Sequence, residues 1–241
     1  MRLQTLLHAV FPPECLCCGA RVDEDFALCG SCWRETPFIF GAACGLCGVG
    51  LPGQSAGDEV LICEDCHGVA RPWARGRAVM HYAENGRKLV LGLKHADRAE
   101  VARAAGPWMA RAGADLLAAD PLIVPIPLHW RRLAVRRFNQ AALLAKSMAV
   151  ATRCEWLPDA LIRPRHTATQ DGRDREGRFA NLDAAIRVHP RHAARMAGRR
   201  VLLVDDVMTS GATFSAATQA CLRAGADAVD VIALARVARD G

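Results

Sequence analysis

Val201-Leu-Leu-Val204 is an unbroken apolar run, the pattern of a strand buried on both faces. Leu122-Ile-Val-Pro-Ile126 and Ala228-Val-Asp-Val-Ile-Ala-Leu-Ala235 read the same way, the latter as the strand that closes the sheet. Arg77-Ala-Val-Met-His-Tyr82 and Ala185-Ile-Arg-Val188 are shorter strand patterns. Between these runs the apolar spacing turns helical. Leu89, Val90 and Leu93 share a face of residues 84–93, and Leu143, Leu144, Met148 and Ala151 share a face of residues 139–151. A further helix starts just after Thr213, carries Ala216 and Ala220, and ends near Gly225. The alanine-rich residues 97–118 predict a helix interrupted near Pro107. Strands alternating with helices predict an α/β fold, a parallel sheet flanked by helices, with its ligand at the C-terminal ends of the strands.

Residues 14–70 follow neither period. They are turns and cysteines, and Pro72 and Gly76 mark a boundary over 71–76. Two units are therefore expected, 1–70 and 77–241. Met1–Val10 reads as a short amphipathic helix and not as a signal peptide. No apolar run approaches the ~20 residues that span a bilayer, so membrane insertion is not expected.

Eight of the eleven cysteines form four C-x-x-C pairs: Cys15/Cys18, Cys29/Cys32, Cys44/Cys47 and Cys63/Cys66. Each pair makes a tight turn that aims two sulfurs at one point, and four thiolates close a tetrahedral shell around a structural Zn2+. Two such shells make a double zinc ribbon that depends on its metal to fold. Joining neighbouring pairs is simplest; the spacing leaves a crossed arrangement open. Metal-type spacing also implies a reducing, cytoplasmic setting. Cys17 and His67 read as bystanders, and Cys154 and Cys221 as ordinary core residues.

Charge divides the chain. Residues 1–120 carry 12 Lys+Arg against 14 Asp+Glu, whereas residues 121–241 carry 19 against 11. The basic second half expects an anionic partner.

The chemistry concentrates where the Val201 strand ends. Asp205 and Asp206 follow it, then the small, hydroxyl-rich loop Thr209-Ser210-Gly211-Ala212-Thr213, then the helix. Strand, loop and helix N-terminus make an anion site, because the first-turn amides and the helix dipole face the loop. The adjacent carboxylates suit vicinal sugar hydroxyls, or a magnesium ion held through water. Lys94 follows the helical pattern of 84–93, a helix C-terminal position where a lysine is favoured. Arg131, Arg132, Arg136 and Arg137 crowd one segment and could grip pyrophosphate or a nucleic-acid backbone. Asn139 is placed to cap the next helix. The arginine-rich residues 163–181 read as a lid over a charged intermediate.

Residues Val201–Thr213 resemble the 5-phosphoribosyl 1-pyrophosphate (PRPP) motif of type I phosphoribosyltransferases. The resemblance implies that Asp205 and Asp206 hold the ribose hydroxyls and that Thr209, Ser210, Gly211, Ala212 and Thr213 hold the 5′-phosphate, with Mg2+ accompanying PRPP. The cysteine pairs, Val124-Pro-Ile-Pro127, Arg136-Arg-Phe-Asn-Gln-Ala141, Thr167-Ala-Thr-Gln170 and the PRPP motif, in that order, resemble the ComF family of competence-associated proteins and their GntX relatives. Two departures stand out: Arg137 replaces the family's usual glycine, and residues 178–186 match the end of its lid only loosely.

That resemblance implies a double zinc ribbon on a type I phosphoribosyltransferase-like domain, and two readings of its work. One is phosphoribosyl transfer, with Asp205, Asp206 and Lys94 as the catalytic candidates. Thr209 stands where some purine salvage enzymes of this fold carry a carboxylate, so the acceptor stays unnamed. The other is a non-catalytic competence factor that binds single-stranded DNA or a helicase and uses PRPP as a regulatory ligand. Only Trp33, Trp73, Trp130 and Phe138 offer rings near the candidate surfaces, few for base stacking.

Overall fold

The computed structural model describes residues 8, 10–53, 60–94, 98–128, 138–163 and 186–238. Outside the described residues lie Arg136 and Arg137 with the rest of the basic segment 129–137, nearly all of the 163–181 loop, and most of the opening Met1–Val10 stretch.

Four strands form one parallel sheet: β1 (Gly76–His81), β2 (Leu122–Pro125), β5 (Arg200–Met208) and β6 (Ala228–Arg236), in the order β1-β6-β5-β2. The short β3 (Leu161–Ile162) and β4 (Arg187–Val188) pair antiparallel beside it. The helices are α1 (Gly30–Glu35), α2 (Glu64–His67), α3 (Glu84–Leu93), α4 (Val101–Ala112), α5 (Ala114–Leu117), α6 (Gln140–Thr152), α7 (Ala193–Met196) and α8 (Ala212–Arg223).

Two expectations change. β6 does not close the sheet; it lies inside, between β1 and β5, and is buried from Val229 to Arg236. Its apolar run suits a strand with neighbours on both edges and cover on both faces. Pro107 does not interrupt its helix either; α4 runs through it and the break comes at Gly113. A proline leaves the carbonyl four residues back, here Arg103, without its helical partner. The Ser147 hydroxyl on α6 approaches that carbonyl at 3.4 Å.

The alternating side chains of the sheet feed two cores. Leu202, Val204, Ile232 and Leu234 pack with α3, α4 and α6 through Leu89, Met109 and Met148. On the other face Val201, Leu203, Val231 and Ala233 pack with Phe214 and Ala217 of α8, and with Cys44, Cys47, Cys66 and Trp73. One half of the cysteine-rich segment is thus part of the core. The other half covers the free edge of β1, where the Ile39 amide donates to Val79 O and the His81 amide to Pro37 O, both at 2.9 Å. Covering an exposed edge removes a row of unpaired backbone groups.

The contact between α4 and α6 depends on Gly106. A Cβ there would sit 2.2 Å from Ser147 Oγ and 2.6 Å from the Ser147 carbonyl carbon. Backbone cannot rotate aside, so Gly106→Ala should cost about 3 kcal/mol through overpacking. A urea midpoint that stays put would contradict this contact.

Candidate functional site

Sequence places the acidic pair after a strand; the structure places it within one. β5 continues to Met208, and Asp205 still pairs in register with Ala233 of β6. Asp205 and Asp206 therefore sit on rigid ladder backbone. The Asp206 amide donates to Asp205 Oδ1 at 2.8 Å, which fixes that carboxyl's orientation. Lys94, the C-cap of α3, brings its Nζ to 3.6 Å from Asp206 Oδ2. Two residues far apart in the chain thus share one cluster.

Burial, and then the neighbouring Asp206 charge, push the Asp205 carboxyl well above the usual carboxylate range, against the pull of Lys94 and the Asp206 amide. The neutral acid's advantage in the folded state is complete below the ordinary range and lost as pH rises through the raised value. Asp205→Asn should therefore stabilise the ligand-free protein more at pH 8 than at pH 4, by roughly 3 °C in Tm per kcal/mol of charge relieved. Equal Tm gains at both pH values would refute the assignment.

Beyond β5 the chain turns at Thr209–Gly211. Gly211 takes φ +82° as the N-cap of the twelve-residue α8. That left-handed conformation strains any residue but glycine. A Cβ would also stand 2.8 Å from Arg71 Nη1 and 2.9 Å from the Trp73 ring. Ser210 Oγ lies 3.4 Å from the Ala212 amide, and no side chain caps α8. The loop, the helix N-terminus, both carboxylates and Lys94 are five of the predicted features gathered at one edge of the sheet.

Sequence reasoning missed the loop's own supports. Arg71 Nη1 donates to Ser210 O at 2.6 Å and its guanidinium lies 5.3 Å from the Trp73 ring centroid. Arg236, only 3% exposed, donates to Thr209 O at 2.8 Å and also to Val237 O. An arginine ending the apolar run Val231–Ala235 is the available signal for Arg236. Trp73, at 3% exposure, packs edge-on to Phe214, so it offers no face for stacking.

The cysteines sort as neighbours. The sulfurs of Cys15, Cys18, Cys29 and Cys32 lie within 4.8 Å of one another, and so do those of Cys44, Cys47, Cys63 and Cys66. Tetrahedral zinc with ~2.3 Å bonds sets sulfurs about 3.8 Å apart. The Cys18–Cys29 and Cys47–Cys63 separations are 3.7 Å and 3.6 Å. Backbone amides of Cys17 and Cys29 point at Cys15 Sγ from 3.4 Å and 3.2 Å. The hydrogen bond with Cys47 pulls the Cys44 thiol down to about 4, and burial pushes Cys63 up to about 11. Such donor sets fit two structural zinc ions. Cys17 and His67 stand outside both groups. Cys221 is buried, as expected of a core residue, while Cys154 is half-buried at the edge of the core.

Asn139 caps α6 as expected, accepting from the Ala141 amide at 3.1 Å. Its side chain also donates to Ile126 O at 2.9 Å, which ties the helix to the end of β2.

The double zinc ribbon domain model matches residues 6–67. The DNA utilization protein YhgH of Escherichia coli K12 is 35% identical, over 88% of this chain and 91% of its own length. Competence protein F of Haemophilus influenzae is 27% identical, over 92% of this chain and 90% of its own. Among solved structures, glutamine PRPP amidotransferase from B. subtilis, complexed with ADP and GMP, is 22% identical with a TM-score of 0.37. The match covers 56% of this chain and 27% of that one, so this chain spans about a quarter of the enzyme's length. No helix among the described residues is long and apolar enough to cross a membrane. The chain belongs to the ComF family, with YhgH and Competence protein F among its relatives: a double zinc ribbon joined to a parallel α/β domain.

Proposed function

We propose that this protein binds PRPP with Mg2+ at the C-terminal edge of the sheet and acts in the cytoplasm in DNA uptake. Residues 1–70 act as the ribbon and 77–241 as the ligand-binding domain. The observation that carries the reading is the convergence of Asp205, Asp206 and Lys94 on the loop Thr209–Thr213 at the N-terminus of α8. In this reading the loop amides and the helix dipole receive the 5′-phosphate. Asp205 and Asp206 accept hydrogen bonds from the ribose hydroxyls, and Lys94 turns from Asp206 to the pyrophosphate. Magnesium, when bound, neutralises charge on the pyrophosphate oxygens. If a nucleophile is present, the same contacts stabilise departing pyrophosphate, and the protein is a phosphoribosyltransferase. The relatives' names, DNA utilization and competence, support the cellular setting. Calorimetric titration of the zinc-loaded protein with PRPP and Mg2+ tests the binding step; heat no different from dilution would overturn it.

A second observation favours direct contact with single-stranded DNA. The fold gathers Trp33, Phe38, Phe40 and Trp108 into one aromatic chain, with neighbouring centroids 4.5–6.1 Å apart. Trp33 is 43% and Phe40 71% exposed, beside a cleft of about 300 Å³ that Arg77 and Arg111 also line. Exposed rings beside guanidiniums suit base stacking with phosphate contact. This reading makes the protein a binding factor, alone or with a helicase, and PRPP its regulatory ligand. Trp33→Ala/Phe40→Ala should weaken oligo-dT binding at least tenfold in fluorescence anisotropy and leave PRPP binding intact. Unchanged DNA affinity in the double variant removes the platform from consideration.

A further inference from the structure

We propose that the second cysteine cluster supports the phosphate loop, and that Arg71, Trp73 and Arg236 are positioning residues coupling metal at Cys44, Cys47, Cys63 and Cys66 to ligand binding at Thr209–Thr213. The first cluster has no such coupling. The proposal rests on the reading of this loop as the phosphate site.

An anion loop works only if successive amides point into one concavity. A trans peptide is planar, so its N–H points opposite to the carbonyl of the preceding residue. Whatever holds the carbonyls on one side therefore aims the amides to the other. Arg71 holds Ser210 O at 2.6 Å, which orients the Gly211 amide. Arg236 holds Thr209 O at 2.8 Å, which orients the Ser210 amide. The Val237 amide and Arg236 Nη1 both reach Met208 O, at 3.0 Å and 3.3 Å, which orients the Thr209 amide. Three consecutive amides are aimed this way, and the two guanidiniums add positive potential beneath the loop.

Each support is anchored to the second cluster. Arg71 and Trp73 follow Cys66 by five and seven residues. Trp73 Nε1 donates at 2.6 Å to the carbonyl of Leu46, which lies between Cys44 and Cys47. Arg236 Nη2 lies 3.8 Å from Asp65, which lies between Cys63 and Cys66. Both knuckles of this cluster are thus tied to the loop. Packing is close as well: no Cβ fits at Gly211 above Arg71 and Trp73, or at Gly76 beside Leu46 O, where it would stand 2.2 Å away. The first cluster instead joins the domain at the far edge, through Leu16 O with Arg98 at 2.5 Å and the residue 37–39 contacts with β1. Metal at Cys44–Cys66 fixes the geometry of two knuckles, hence of Leu46 and Asp65, hence of the arginines that aim the amides.

The test uses the full, zinc-loaded chain and four variants: Cys63→Ser, Cys29→Ser, Arg71→Met and Arg71→Lys. Metal analysis establishes which site has lost its zinc. Hydrogen exchange of a peptide covering 209–215 reports the loop without ligand, and calorimetry reports PRPP–Mg2+ affinity. Cys63→Ser and Arg71→Met should each speed exchange in that peptide about tenfold and weaken PRPP about tenfold, some 1.4 kcal/mol. Cys29→Ser should leave both within twofold of wild type. Arg71→Lys, which can still donate to Ser210 O, should recover most of the protection, a rescue that a general loss of packing would not show. Should Cys63→Ser fail to fold, Trp73→Phe, which removes the bond to Leu46 O and leaves all four thiolates, tests the link to the cluster by the same exchange readout, and Arg71→Met tests the link to the loop; unchanged exchange in either overturns the coupling. Unchanged exchange in Arg71→Met, or equal loosening by Cys29→Ser, overturns the coupling. A wild type that ignores PRPP sinks the ligand reading, while the exchange data still decide whether the loop leans on the second cluster.

Discussion

Asp205→Asn/Asp206→Asn should abolish PRPP–Mg2+ binding, with an affinity loss of at least about 100-fold. Each carboxylate is worth roughly 1.5–3 kcal/mol as a charged hydrogen-bond acceptor, so the pair accounts for about 3–6 kcal/mol. Asparagine keeps the shape and one acceptor oxygen but loses the charge that a magnesium-bearing ligand needs. The substitution also frees Lys94, whose Nζ lies 3.6 Å from Asp206. Freed lysine charge would strengthen binding of a plain phosphate. Inorganic phosphate, which has no ribose hydroxyls to lose, should therefore keep its affinity or gain some, whereas ribose 5-phosphate should weaken with PRPP–Mg2+. Calorimetry with these ligands separates the two roles. If PRPP binds equally well to the double variant, the acidic pair is a structural feature of β5 and not a ligand site. Retained thermal stability in that variant is part of the expectation, because burial and the Asp206 charge already disfavour ionisation of the Asp205 carboxyl, so an uncharged amide suits that position.

Removing zinc should cost the protein more than its ribbon. Structural zinc contributes on the order of 10 kcal/mol to small metal domains that have little else to bury. Here Cys44, Cys47 and Cys66 pack in the same apolar cluster as Val231, Ala233 and Phe214. Chelation should therefore loosen one face of the parallel sheet as well as the knuckles. The expected result is a fall in Tm of more than about 10 °C and rapid proteolytic cleavage within residues 14–67. Readdition of zinc should reverse both. An unchanged Tm, with metal analysis showing both ions gone, would mean that packing alone holds the knuckles. Cys29→Ser should be the milder of the two single-site lesions, because the Cys15–Cys32 group lies at the edge of the fold with Cys18 exposed.

The two proposed activities can be separated by their locations. The loop and acidic pair stand at the C-terminal edge of β5, while the aromatic chain of Trp33, Phe38, Phe40 and Trp108 lies along the β1 side. Selective loss of each activity by its own variants would describe a protein with two ligands. Joint loss by either set would describe one continuous surface.

Much of this protein was written locally. Four C-x-x-C pairs, an apolar strand ahead of Asp205-Asp206 and a small-residue loop before a helix are short-range patterns, because a knuckle, a strand end and a helix N-terminus are each set within a few residues. The family resemblance, the zinc ribbon and the α/β class were legible for that reason. Tertiary structure decided the rest. A strand's place in a sheet depends on its partners and not on its own residues, so β6 read as the closing strand although it lies inside. Pro107 reads as a breaker until another helix brings Ser147 to the carbonyl it leaves free. Four C-x-x-C pairs can be joined two by two in three ways, and only the positions of the sulfurs in space show that neighbours combine. Arg71 and Arg236 carry no local signature of supporting the Thr209–Gly211 turn, since they lie 139 and 27 positions from the Ser210 and Thr209 carbonyls they hold. The packing of the second cysteine cluster against the sheet, with Trp73 bonded to Leu46 O, brings the two guanidiniums beneath that turn.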